Sequence, residues 1–429
     1  MKPVTFSKKQ VTIIIGGVVL VIVVFVLIFF GLRPKTNTGP AVTLTVWGTE
    51  NSSALGSIFA SYPYGKVNYV EVDAANYAGR LLSALAAGTG PDVFEINNRD
   101  LPKWKSVIVP LPTSSTQFGL LALQSEFPDV VAQDFVSKGQ IYGLPLSIDT
   151  LVMVYNKDLL NSSGIAILPK TWNDFDTDVA RLRTVDAQGK LTQAAAAIGG
   201  SLASIPYASD LLSLLMLQNG TQMTSGGLTA ATFAGQDSGA TGIAAFNFYL
   251  QFANAASPYY TWNDAMGNAI DSFVAGKTAI IFAYQSDFAR IRAKAPFLNV
   301  GIAPVPQAEG VSVAVNYPNY DSFVVARAGQ TAAAWNLILY LTTTPANAIT
   351  YQSATGKPPA LRTVIQGDAN DPNLSVFALQ ALTARSWYEA DAARIDTIFD
   401  AAIKNVLSGA EDSIKALKEA EAAVTQLMR

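Results

Sequence analysis

The chain has 429 residues, room for two to three domains of about 150 residues; half of its residues are hydrophobic and only 14% are charged. Such a composition builds a sizeable core and excludes a disordered chain, while a net charge of −3 offers no basic face to nucleic acid. There is no Cys and no His, which excludes disulfides, Cys/His zinc sites, thiolate nucleophiles and any triad built on a histidine base.

The first feature in chain order is an uncharged apolar run over residues 11–32 (VTIIIGGVVLVIVVFVLIFFGL). As a helix it measures about 33 Å, enough to cross a hydrocarbon core of about 30 Å. Its β-branched residues favour strand in water, but in lipid only a helix satisfies its own backbone. A cleaved secretory signal has an apolar stretch of about 7–15 residues and an A-x-A-like site; this run is longer, and FFGLRPKTN carries no such site. The reading is therefore an uncleaved anchor, with residues 1–10, including Lys2, Lys8 and Lys9, as a cytoplasmic stub. Residues 33–40 (RPKTNTGP) read as a short tether.

Beyond the tether, strand and helix patterns alternate. Residues 42–47 (VTLTVW), 66–72 (KVNYVEV) and 92–96 (DVFEI) read as strands. Between them, residues 53–62 carry Leu55, Ile58 and Phe59 at helical spacing, and residues 76–87 form a helix with Asn76 as N-cap and Gly88 just past its end. This alternation predicts parallel βαβ units and a doubly wound sheet. Residues 151–155 (LVMVY), 278–283 (TAIIFA) and 322–326 (SFVVA) read as buried strands. Thr171 and Asp174 frame a capping-box start for a helix carrying Phe175, Val179 and Leu182. Residues 219–241 show no period and read as a surface loop with one short strand. Thr344-Pro345 opens a helix, and Ile414, Leu417, Val424 and Leu427 define one helical stripe near the end.

Five segments in order carry a resemblance: LTVWGTEN (residues 44–51), AGRLLSALAAGTGPDVFEIN (78–97), YGLPLSIDTLVMVYNKDLL (142–160) followed by LPKTWNDF (168–175), FVAGKTAIIFAYQSDFARI (273–291) with VGIAPVPQ (300–307), and GKPPALRTV (356–364). Together they resemble the extracellular solute-binding proteins of bacterial ABC importers, the maltose-binding-protein-like group. Relatives usually carry a lipoprotein Cys or a cleaved signal, and often Gly-Ser-Trp where this chain has Ala283-Tyr284-Gln285-Ser286. The resemblance implies an α/β, two-lobed periplasmic-binding-protein fold of type II-like organisation with discontinuous lobes, here preceded by one transmembrane helix. Lobe 1 is expected over residues 41–150 and 321–360, and lobe 2 over 151–320 and 361–429. It further implies a small solute, a sugar above all, ABC permease subunits as partners, and no cofactor, metal or enzymatic activity; the anchor read over residues 11–32 adds a single-pass position in the cell membrane with the binding part outside.

Ligands of open α/β sheets bind beyond the carboxyl ends of strands, so the candidate contacts are the polar and aromatic residues just after strands or at crossings. These are Trp47, Glu50 and Asn51; Asn97 and Asn98; Asp149 and Thr150; Tyr284 and Gln285; Tyr317, Asn319, Tyr320 and Asp321; and Trp387 with Tyr388. Flat rings cover pyranose faces, and carboxylates and amides pair with hydroxyls. Each has a plainer reading: Trp47 and Trp387 as core, Asn97 and Asn98 as caps, Tyr317 and Tyr320 as loop packing. Asp149 would either accept solute hydroxyls or cap a turn. Two other functions stay in view: a ligand-sensing ectodomain that needs a partner receptor, and a glycosidase using Glu50 and Asp149, which no spacing supports.

Overall fold

The computed structural model describes residues 42–113, 118–235, 240–372 and 374–429. The expected stub, anchor and tether lie outside the described residues. Among the described residues no helix is long and apolar enough to cross a membrane. Thr43–Arg429 forms one compact unit, built around two sheets.

The first sheet has the order Gly65–Glu71, Val42–Gly48, Val93–Asn97, Asp321–Ala326, Ile108–Val109, with Leu144–Pro145 also pairing Asp321–Ala326. The second has the order Thr184–Val185, Leu191–Ala196, Thr278–Ala283, Val152–Asn156, Val300–Ala303. Their middle strands are the apolar runs read from sequence; Thr278–Ala283 is buried at every position, as strands covered on both faces must be.

The expectation of parallel sheets needs correction. Val42–Gly48 runs parallel to Val93–Asn97, and Leu191–Ala196 parallel to Thr278–Ala283. Asp321–Ala326 enters the first sheet antiparallel, and Val152–Asn156 is antiparallel to both of its neighbours. The chain leaves the first sheet after Leu144–Pro145, passes Asp149–Thr150 and continues as Val152–Asn156 in the second. It returns through Pro318–Asn319 into Asp321–Ala326. The two passing segments pair antiparallel, Asp149 with Asn319 and Thr150 with Pro318. A strand that arrives from the other sheet need not share the direction that a βαβ crossover imposes. Gln380 braces the ribbon, its Nε2 donating to Thr150 Oγ1 and to the Leu151 carbonyl, both at 3.0 Å.

Local chemistry sets the helix ends. Helix Ala74–Ala86 is capped by Asp73, whose side chain accepts from Ala75 N; it starts two residues before Asn76, the expected cap. Gly88 closes it at φ 69°, a left-handed conformation costly for a residue with a Cβ. Helix Trp172–Leu182 has the reciprocal Thr171/Asp174 capping box. Helix Pro345–Thr355 starts after Thr344 as read, although the Thr344 side chain makes no cap bond.

Two further readings change. In helix Ser413–Leu427, Leu417 and Val424 are buried but Ile414 is 49% exposed, because it sits in the first turn. Residues 219–235 are not merely a surface loop: Thr221, Met223, Phe233 and Ala234 are buried, and Thr425 Oγ1 accepts from Ala231 N at 3.0 Å. Isolated apolar residues that anchor a loop leave no period to read.

The core beside the second sheet centres on Phe175, fully buried with ring centroids 5.3 Å from Trp172, 5.6 Å from Phe252 and 5.9 Å from Phe282. Phe175→Ala removes this hub; we expect a loss of about 3–5 kcal/mol, read as a lower urea midpoint with an unchanged m-value.

Candidate functional site

Where the first sheet ends and the crossing ribbon begins, side chains from distant segments enclose a cavity of about 140 Å³. Glu50 follows strand Val42–Gly48 and pairs with the ammonium of Lys357. Glu95, within Val93–Asn97, turns its carboxylate towards Gly48; Oε2 accepts from Thr49 N at 2.9 Å. A Cβ at Gly48 would meet that oxygen at 2.5 Å, so glycine permits the approach. Asp149 reaches the turn after Thr278–Ala283: Oδ1 accepts from Gln285 N at 3.1 Å and Thr150 N at 2.9 Å, and Oδ2 from Ser286 N at 3.2 Å. Asn97 Nδ2 donates to Asn319 Oδ1 at 2.8 Å and Asp321 Oδ1 at 3.3 Å.

These acids crowd into little water. Burial pushes Glu95 up to about 8, with repulsion from Asp321 and Glu50 adding to it. Burial raises Asp149 to about 7 although three main-chain N–H groups pull it down. Asp321 keeps contact with solvent, and desolvation by the enclosing walls raises it as well, against the pull of Lys357. For Lys357 desolvation acts downward, but Glu50 outweighs it and holds the ammonium above its ordinary value.

A second constellation joins the two sheets. Arg99, just past Val93–Asn97, donates from Nε to Glu389 Oε1 at 2.8 Å and from Nη2 to Glu389 Oε2 at 2.5 Å. Nη2 also reaches Asp396 Oδ1 at 2.6 Å, and Nη1 reaches Asp210 Oδ1 at 3.3 Å. Asp210 and Asp396 lie in helices Ala208–Gln218 and Ala392–Leu407, whose apolar residues share the core of the second sheet. The Tyr317 hydroxyl donates to Glu389 Oε1 at 3.0 Å, and the Tyr284 hydroxyl to Asp210 Oδ2 at 2.8 Å. Burial pushes Glu389 up to about 7; Arg99 opposes this, and Asp396 and Asp210 add to it. Arg99 and Glu389 also border a larger cavity of about 490 Å³, with Asn98, Gln133, Trp387 and Tyr388. The smaller cavity is the better centred: it lies on the crossing ribbon and takes walls from both crossing segments.

Among the expected contacts, Glu50, Asp149, Asn319, Tyr320 and Asp321 line the smaller cavity, and Asn97 borders it through Asn319. Gln285 joins through its main-chain bond to Asp149. Asn98, Trp387 and Tyr388 line the larger cavity. Asn98 Nδ2 donates to Asp134 Oδ2 at 3.1 Å, and Trp387 Nε1 to Ser213 Oγ at 3.3 Å. Tyr284, Tyr317 and Thr150 are wholly buried, the two tyrosines holding the acids around Arg99. Trp47 lines neither cavity and lies under the Arg80 guanidinium, 5.7 Å from the ring centroid. Asn51 caps helix Ser52–Ala60 by accepting from Ser53 N at 2.9 Å. Asp149 itself is only 7% exposed and carries the three main-chain bonds above, the turn-capping arrangement. Glu95, Lys357, Arg99, Asp210 and Glu389 escaped the sequence reading. A carboxylate inside the apolar strand DVFEI was the one available signal for Glu95.

Solved structures of similar shape identify the fold. The sugar-binding protein MalE of Xanthomonas citri superposes with a TM-score of 0.74 at 20% identity, covering 90% of this chain and 97% of that one. The cyclic α-maltosyl-1,6-maltose binding protein of Arthrobacter globiformis gives 0.75 at 18% identity, covering 90% and 99%. The fold is therefore the α/β fold of two-lobed periplasmic sugar-binding proteins.

The family model described as bacterial extracellular solute-binding protein matches residues 47–348, and the chain belongs to that family. The diacetylchitobiose binding protein DasA of Streptomyces coelicolor is 28% identical over 145 residues, 32% of this chain and 33% of that protein. The maltodextrin-binding protein MdxE of Bacillus subtilis is 38% identical over 68 residues, 15% of each. The chain thus aligns with a third or less of the length of these two relatives. All are binding proteins rather than enzymes. The glycosidase reading falls with that, and Glu50 and Asp149 are held by Lys357 and by main-chain N–H groups.

Two outcomes are expected. Arg99→Gln leaves the buried Glu389 and Asp210 without their cation and lowers stability by about 3–5 kcal/mol, whereas Arg290→Gln, at an exposed pair with Asp271, changes it by about 0–1 kcal/mol; urea denaturation compares them. The raised acids also set a pH dependence. Folded Glu95 and Asp149 are raised to about 8 and about 7, whereas in the unfolded chain they release their protons near the ordinary carboxylate values of 4.5 and 3.8. The folded state binds more protons across that window, so stability falls as pH rises through it. The melting temperature should be higher at pH 5.5 than at pH 8.

Proposed function

We propose that this chain is an extracytoplasmic receptor that captures a small polar solute, a carbohydrate, and delivers it to an ABC permease. The observation that carries the reading is the cavity on the crossing ribbon, walled by Glu50 just after one strand of the first sheet and Glu95 within another, by Asp149 and Asn319 of the crossing segments, and by Ser286 beyond the second sheet. The discontinuous lobes are taken as residues 41–150 with 321–360, and 151–320 with 361–429. A solute between them touches both, and closing the lobes excludes water and strengthens its hydrogen bonds. The sugar ligands named for DasA, MdxE and the Arthrobacter protein support carbohydrate as the class. The reading includes residues 11–32 as a membrane anchor that keeps the receptor beside its permease.

The test is a thermal-shift screen of the full chain against maltodextrins, diacetylchitobiose, galacto-oligosaccharides and monosaccharides. A ligand of the folded state raises the melting temperature by mass action. Asp149→Asn should then weaken the best ligand about ten- to a hundredfold, since bonds to charged groups are worth about 1.5–3 kcal/mol. Its melting temperature without ligand should fall too, because an amide N–H would face the Gln285 and Ser286 donors. Unchanged affinity would remove Asp149 from the site.

A further inference from the structure

The acids around the smaller cavity differ in how fully they are partnered. Glu50 has the Lys357 ammonium, and Asp149 has three main-chain N–H groups. Glu95 and Asp321 have much less. Glu95 is 95% buried, being 5% exposed, yet only its Oε2 is bonded; Oε1 accepts no hydrogen bond among the described residues, although the side chain lines the cavity. Asp321 receives one long amide bond, 3.3 Å from Asn97 Nδ2. The strand register places the two together. Glu95 pairs with Phe323 and Asn97 with Asp321, so both carboxylates stand on one face of the sheet, a single alternation apart on neighbouring strands.

A cavity with this lining demands positive charge. Four carboxylates face one lysine, and that lysine is already paired. A neutral hydroxyl brings no charge to balance Glu95 and Asp321 when both ionise. A divalent cation fits poorly: it needs about six oxygen ligands, and among the described residues no three acidic side chains converge to hold a metal. An ammonium group suits the site, because it brings one charge and three donors to acceptors that lack them. Leu146, Phe323 and Tyr351 supply apolar wall for the C–H faces of a ring.

We infer that the solute is an amino sugar whose protonated amine seats against Glu95 and Asp321 in this cavity. The inference rests on the receptor reading and names its ligand class. It has a second consequence. The groups facing Glu95 are Asp321, Glu50 and Lys357, with the Tyr69 and Tyr77 hydroxyls alongside. An arriving ammonium favours ionised Glu95, so amine binding at pH 7 releases a proton while binding of a neutral sugar does not.

The test is calorimetry of the full chain at pH 7 with three matched monosaccharides, glucosamine, N-acetylglucosamine and glucose, and with their β-1,4-linked dimers. The amine should bind at least tenfold more tightly than the acetamide or the hydroxyl. Its heat should differ between two buffers of unlike ionisation enthalpy, which reads proton release. Glu95→Gln should lower amine affinity at least tenfold and bring it down to that of the neutral members. Asp321→Asn, on the open side of the cavity, should do the same and covers the case in which the Glu95 variant does not fold. Equal or tighter binding of a neutral member overturns the inference, as does an amine preference that survives both substitutions. If no member of the series binds, the inference falls, while a hit among the neutral oligosaccharides of the wider screen leaves the receptor reading standing. That reading fails only when the whole screen is blank.

Discussion

A guanidinium buried among three carboxylates fixes the geometry of everything around it. Arg99 comes from the first sheet, and Glu389, Asp396 and Asp210 from segments that pack with the second. Taking these charges out of water costs several kcal/mol per ion, and only close, well-aligned bonds offset that. Alignment is supplied from outside the ion cluster. Tyr317 sits beside Pro318–Asn319, and Tyr284 directly follows Thr278–Ala283; their hydroxyls hold Glu389 and Asp210 in place. The next residue after Tyr284, Gln285, gives its N–H to Asp149. A continuous hydrogen-bonded path therefore runs from Arg99 through Asp210, Tyr284 and Gln285 to the crossing ribbon. A shift of one sheet against the other would break bonds along all of it.

The same path explains why the cleft is rich in acids yet short of cations. One positive charge among three carboxylates leaves the Arg99 cluster with an excess of negative charge, and the cavity beside the ribbon repeats the imbalance with Lys357. Proteins seldom keep such groups buried unless something requires them. Folding alone would favour apolar side chains at these positions, because an ion pair replaced by well-packed hydrophobic residues is often neutral or stabilising. The Arg99 cluster holds the two sheets in register, whereas the acids around the smaller cavity are the ones the proposed ligand would meet.

Much of the architecture was legible from local signals. The runs VTLTVW, LVMVY and TAIIFA announced strands because they are apolar and β-rich, and the Thr171/Asp174 box announced a helix because both partners lie three residues apart. Strand direction was not legible: it depends on which sheet the chain has just left, a fact no window of ten residues contains. The cleft was legible in part. Polar residues after strands pointed to Glu50, Asp149, Asn319 and Asp321, all of which line the smaller cavity. Arg99 and Glu389 were missed because they are 290 positions apart, and neither neighbourhood looks unusual until the chain has folded. Tyr284 and Tyr317 were found as tyrosines near the cleft, but their hydroxyls hold acids from beneath.

A comparison within the molecule separates acids that serve the fold from acids that await a partner. Asp264 lies beside a buried tryptophan and tyrosine, yet its oxygens are filled: Ser201 N donates at 2.9 Å, Ser201 Oγ at 2.6 Å and Ser204 Oγ at 2.6 Å. Desolvation acts upward on it, and those bonds outweigh it, so the carboxylate is held below its usual range. Glu95 is more deeply buried, has one main-chain donor and faces Asp321 and Glu50, and it moves the other way. Burial, neighbouring carboxylates and the donors around each group together set the difference. The incomplete shell of Glu95 opens into a cavity, and that opening is where the proposed ligand amine would supply the missing donors.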